Sequence, residues 1–139
     1  MVKNDFIGEN MPLHGVVGIG ASAGGLEALQ QFLHSLPENT GLAYVIIQHL
    51  SPDYKSLLRE ILSKYTKMPV VQAENDMEIQ KNTVYIIPPK YNMKLEKNKL
   101  RLSEYDHAII NHPIDVFFRS LAASYANKSV AVILSGTGS

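Results

Sequence analysis

The chain has 139 residues, enough for one domain with a core, and its 13 basic and 13 acidic residues balance, so no net field draws it to nucleic acid or an anionic membrane. It has no cysteine, which excludes disulfides, thiolate metal sites and a cysteine nucleophile. No apolar run approaches the roughly 20 residues of a membrane span, and residues 1–10 lack the apolar stretch of a signal peptide, so a cytoplasmic setting without membrane insertion is expected.

Residues 1–13 are polar and irregular and predict a flexible N-terminal segment ahead of a domain spanning 14–139. Val16 to Ile19 reads as a buried strand. Leu26, Leu29, Phe32, Leu33 and Leu36 recur at helical spacing, with Pro37 as the stop. Leu42 to Ile47 is apolar on both faces, as a parallel strand inside a sheet should be. Tyr54, Leu57, Leu58, Ile61, Leu62 and Tyr65 form a second helical stripe behind Ser51-Pro52-Asp53. Val70-Val71 is a short strand and Thr83 to Ile87 a longer one, closed by Pro88-Pro89. Met93 to Glu96 and Leu100 to Leu102 alternate about Lys97-Asn98-Lys99, which predicts an exposed hairpin. Pro113 leads in a third helix carrying Ile114, Phe117, Phe118, Leu121, Ala122 and Tyr125. Val130 to Leu134 reads as a last buried strand, followed by Ser135-Gly136-Thr137-Gly138-Ser139.

Strand and helix alternate, which predicts a doubly wound, mostly parallel, Rossmann-like α/β sheet with a small exposed hairpin. In such sheets the site lies beyond the carboxyl ends of the strands. Ser22, His49, Pro88 and Gly136 each sit just past such an end and are candidate walls of one crevice. A Gly-Thr-Gly-Ser turn after a core strand leads into a further helix, so the domain is expected to be incomplete at its C-terminus.

Gly20-Ala21-Ser22-Ala23-Gly24 joins the first strand to the first helix, the setting of a nucleophile elbow. A hydroxyl is a poor nucleophile until a base takes its proton, and His49 stands where the neighbouring strand delivers it. Backbone N–H groups at Ala23 and Gly24 can stabilise an oxyanion. Blander readings compete: Ser22 as a helix cap and His49 as a strand-end histidine. His34 reads as solvated; His14, His107 and His112 lie in loops without an assigned role; Asp53 and Asp115 suit the first turns of their helices; Lys97 and Lys99 suit a solvated tip. No metal-ligand spacing occurs. A rival uses the same glycines: Gly18-Ile19-Gly20-Ala21-Ser22-Ala23 fits G-x-G-x-x-A, a dinucleotide fingerprint, although the second strand ends in Gln48-His49 rather than the acid that holds a ribose. A third reading is a non-catalytic interaction module whose glycine turn only packs a helix on the sheet.

Five blocks, in order, resemble the catalytic domain of CheB, the chemotaxis protein-glutamate methylesterase: Val17 to Gly25, Gln48-His49-Leu50, Val84 to Pro89, Pro113 to Ser120 and Ile133 to Ser139. The resemblance implies that Ser22 is the nucleophile and His49 its base, in a triad order of Ser, His, Asp that differs from that of α/β-hydrolases. The family's Asp position comes immediately after Ser139, which implies weak or no activity for residues 1–139 alone. Ala23 stands where single-enzyme members usually have Thr, and Thr137 where they usually have Met; both flank the expected oxyanion site and resemble the hybrids that join a methylesterase to a CheR-like methyltransferase. The implied reaction is hydrolysis of glutamate γ-methyl esters on chemoreceptor cytoplasmic helices, with glutamine deamidation in some relatives. The implied partners are those helices and a fused or associated methyltransferase domain, with no metal or organic cofactor.

Overall fold

A computed structural model of the chain describes residues 13–48 and 57–135. Strand β1 (Gly15–Ala21) is buried at every position and passes through a 3-10 turn (Ala23–Gly25) into helix α1 (Leu26–Ser35). β2 (Leu42–Gln48) is buried from Ala43 onward and is followed by α2 (Leu58–Ser63) and β3 (Val70–Gln72). Then come β4 (Met77–Glu78), β5 (Thr83–Ile86), β6 (Tyr91–Glu96), β7 (Lys99–Glu104), α3 (Pro113–Tyr125) and β8 (Ser129–Leu134).

Five strands make one wholly parallel sheet in the order β3-β5-β2-β1-β8. β4, β7 and β6 form a separate antiparallel sheet. This is the expected α/β architecture. Alternate residues along β1 and β2 face opposite layers, which is why both strands are apolar throughout. On one face Val17, Ile19, Tyr44 and Ile46 pack against Leu29 and Leu33 of α1 and Leu58 and Leu62 of α2. On the other, Val16, Ala43, Val45 and Ile47 pack with Phe117 and Leu121 of α3 and with Met93, Leu95 and Leu100 of the hairpin.

Three expectations need correction. The hairpin is not simply exposed: Met93, Leu95 and Leu100 have no accessible surface. Its period-2 alternation turns those residues inward, onto α3. Lys97 and Asn98 both take left-handed backbone (φ 49° and 67°), which makes them the two-residue turn and leaves Lys99 in β7. α3 also covers the outer edge of β6. Ser120 accepts the Leu95 N–H at 2.9 Å and Ser124 donates to the Leu95 carbonyl at 2.7 Å, so two serines one helical turn apart satisfy both polar groups of one edge residue. β8 is not a buried strand: Val130 and Ile133 are 56% and 64% exposed, because β8 pairs only with β1 among the described residues. In the second helix, Leu57 is exposed ahead of Leu58 and Tyr65 lies past the end at Ser63, so the buried stripe in the described residues reduces to Leu58 and Leu62. Of the N-terminal segment only Leu13 is described, and it packs against the core. No helix among the described residues is long and apolar enough to cross a membrane.

Candidate active site

Ser22 follows the last residue of β1 with extended backbone (φ −72°, ψ 168°) and an exposed side chain. Its carbonyl accepts the Gly25 N–H at 2.8 Å, which closes the 3-10 turn. Its hydroxyl makes no capping hydrogen bond, so the helix-cap reading of this serine fails. The turn also departs from a hydrolase elbow, which strains the serine backbone. Ser22 instead lies in the ordinary β region. Small neighbours expose it: Ala23 and Gly24 add no bulk, and both are exposed. Gly25 lets the turn close onto the sheet, since a Cβ there would meet Ala21 Cβ at 3.2 Å and the Leu134 carbonyl oxygen at 3.4 Å. That approach sets the end of β8 against the Ser22 turn. The Ala23 and Gly24 N–H groups come ahead of the turn's first hydrogen bond, where a helix start leaves donors without intrahelical acceptors.

The end of β2 lies alongside. Ala21 and Gln48 are register partners. Gln48 is 6% exposed, and its Nε2 donates to the Ser22 carbonyl at 3.2 Å. Among the described residues it is the one buried residue with a charged or amide side chain. The residue pattern does not single it out, because an amide at the end of an apolar run reads as a strand terminus. The signal that could have found it is its place directly before His49, in a position where the neighbouring strand is buried on both faces. Pro88 is buried just past β5, where the Ile87 N–H donates to the Ile46 carbonyl at 3.1 Å, so this turn borders the same end of β2.

The start of α3 lies near the end of β1: its Ile114 sits where a Cβ on Gly20 would approach to 2.8 Å. A cleft of about 410 Å³ opens there over Ile110, His112, Pro113, Ile114 and Asp115. Ile109 and Ile110, in the loop before α3, are 62% and 81% exposed. Asn111 braces that loop: it accepts from Asn92 at 3.1 Å and donates to the Asp106 carbonyl at 3.0 Å. Asp115 is exposed in the first turn of α3, as expected for its charge.

Ser22, Ala23 and Gly24 are thus brought together at the carboxyl end of β1. His49, Gly136 and Thr137, the other expected site residues, lie outside the described residues. The fingerprint glycines do something other than cradle a pyrophosphate. Both lie inside β1, and a Cβ on Gly18 would meet Leu121 at 2.9 Å and Phe118 at 3.0 Å. They let α3 approach the sheet, which removes the support for a dinucleotide site at this turn. Among the described residues no group of three or more His, Asp or Glu side chains is placed to hold a metal ion.

Comparison with known proteins gives the family. A family model described as CheB methylesterase matches residues 17–139. A putative protein-glutamate methylesterase/protein-glutamine glutaminase of Leptospira interrogans is 35% identical over 123 residues, covering 87% of this chain and 64% of that protein. A protein-glutamate methylesterase/protein-glutamine glutaminase of Trichodesmium erythraeum is 34% identical over 128 residues, covering 88% of this chain and 36% of that protein. An uncharacterized 104.1 kDa protein of Rhodobacter capsulatus is 48% identical over 82 residues, which cover 59% of this chain and 9% of the larger protein. The crystal structure of the Thermotoga maritima CheB methylesterase catalytic domain superposes with a TM-score of 0.76 at 29% identity, over 86% of this chain and 66% of that one. The chain therefore spans less than two thirds of the length of these curated relatives.

Proposed function

Because the chain belongs to the CheB methylesterase family, we propose that it hydrolyses glutamate γ-methyl esters on the cytoplasmic helices of chemoreceptors. Ser22 Oγ attacks the ester carbonyl while His49 takes its proton. The tetrahedral oxyanion rests on backbone N–H groups at Ala23 and Gly24 and on the turn that holds Thr137. Collapse expels methanol, to which His49 returns the proton. Water then enters by the same route and releases the free glutamate carboxylate. A carboxylate on the other imidazole nitrogen would complete the triad. The same steps on a glutamine amide expel ammonia, which matches the paired activities in the relatives' names.

Residues 14–139 would then belong to this catalytic domain, in a cytoplasmic protein. Ala23 and Thr137, in two separate turns, favour a methyltransferase partner, and the likeness to a segment of a 104.1 kDa protein favours a multidomain setting. One observation carries the catalytic reading: an exposed, uncapped serine hydroxyl at the end of β1, tied through its own carbonyl to the residue that precedes His49. The test is methanol release from a methylated receptor fragment by the full-length protein and by its Ser22→Ala variant. Release that needs Ser22 supports the proposal. Release unaffected by the substitution, or receptor binding without any turnover, would leave the interaction-module reading instead.

A further inference from the structure

Gln48 stands in the same sequence block as the proposed base, yet the mechanism above gives it no task. Burying an amide costs free energy unless it is hydrogen-bonded, so a buried glutamine at a strand end beside a reactive serine calls for a partner that repays it. Its partner is the Ser22 carbonyl, at 3.2 Å. A carbonyl can only accept, so the group facing it must be the Nε2 amide. That carbonyl takes a second bond, from the Gly25 N–H at 2.8 Å. Both of its lone pairs are then used, one by the turn itself and one by the neighbouring strand.

The peptide group joining Ser22 to Ala23 is planar, and its C=O and N–H point in opposite directions. Fixing the Ser22 carbonyl therefore fixes the Ala23 N–H. With the carbonyl drawn towards Gln48 and Gly25, the Ala23 N–H is aimed the other way. Gln48 is also the register partner of Ala21 and the residue bonded to His49. We propose that Gln48 is a positioning residue: its side chain orients the Ser22–Ala23 peptide so that the Ala23 N–H serves as an oxyanion donor, and ties that peptide to the end of β2, which His49 follows in sequence. This role rests on the esterase reading of Ser22 and His49.

The test compares the full-length protein with Gln48→Met and Gln48→Glu on a methyl-ester substrate. Met keeps the length of the side chain and removes the donor. Loss of an oxyanion donor costs about 10²–10³ in kcat, and a donor left in place but misaimed costs less, so Gln48→Met should lower kcat roughly 10- to 100-fold with KM changed less than about two-fold. Glu is the sharper probe. Its protonated carboxyl can donate to the Ser22 carbonyl and its carboxylate cannot, and burial beside a carbonyl raises the pH at which it ionises. Gln48→Glu should therefore gain a falling limb on the alkaline side of its kcat profile, reversible on lowering the pH and absent from the parent. A residue that merely fills space would produce no such limb. Retention of kcat within two-fold by Gln48→Met, or a Gln48→Glu profile that follows the parent, overturns the role. Ser22→Ala is the control. If parental turnover does not need Ser22, the esterase reading falls and this role falls with it. If turnover needs Ser22 and survives Gln48→Met, only the role of Gln48 falls.

Discussion

The two ends of β1 belong to one strand and are built for different purposes. At the amino end the backbone is packed tightly against its neighbours. His14 N–H bonds the Gly41 carbonyl at 2.9 Å, and Gly15 lies so close to the backbone at Lys128 that a Cβ would meet its carbonyl oxygen at 2.5 Å. At the carboxyl end the backbone is equally well held, by Gly25 and Gln48, but the Ser22 hydroxyl is left outside and uncapped. The difference teaches that a parallel sheet separates folding from chemistry along each strand. Substitutions at one end should cost stability and at the other should cost rate.

If Ser22 is the nucleophile, Ser22→Ala should make the largest difference, lowering kcat on the order of 10⁴–10⁶-fold by comparison with known serine hydrolases. Being exposed and uncapped, it should shift unfolding free energy by less than about 0.5 kcal/mol in urea titration. A large loss of stability there would erase the distinction between the two ends. Phe117→Ala, beneath the sheet on the α3 face and without accessible surface, should cost about 3–5 kcal/mol in the same titration. Gly15→Ala drives a methyl group into backbone that cannot rotate away and should cost about 1–3 kcal/mol while leaving kcat of the folded fraction unchanged. Alkaline pH should produce the smallest effect. Burial raises the Tyr85 hydroxyl above its ordinary value of 10.0, against an opposing hydrogen bond from the Gln80 N–H, and burial also raises Tyr105 and Tyr125. The folded state then keeps protons that the unfolded chain has lost. Their contribution is intact below pH 10 and disappears as pH rises from there through the folded values, so Tm should be flat up to about pH 9 and fall beyond about pH 10.

Much of this fold was legible in the residues. Val16 to Ile19 and Leu42 to Ile47 carry unbroken apolar runs, and Leu29 and Leu33 recur at helical spacing, so β1, α1 and β2 and their order follow from pattern alone. What stayed hidden depends on neighbours. Val130 to Leu134 has the same apolar look whether or not another layer covers it, and Val130 and Ile133 are exposed. The alternation of Met93 and Leu95 assigns them to one face but does not say that α3 covers it. Met77–Glu78 is too short to show a period. At the candidate site, the exposed position of Ser22 was legible from its small flanking residues and its strand-helix setting, whereas the bond from Gln48 to the Ser22 carbonyl is a cross-strand contact no spacing rule reveals.

The central claim, that Ser22 is a nucleophile activated by His49, is tested most directly by exposing the full-length protein to a fluorophosphonate ester and mapping the modified peptide by mass spectrometry, in parallel with His49→Gln. The account predicts an adduct on Ser22, formed on the order of 10²–10⁴ times more slowly when His49 is replaced. An unmodified Ser22, or equal labelling in both proteins, would contradict it.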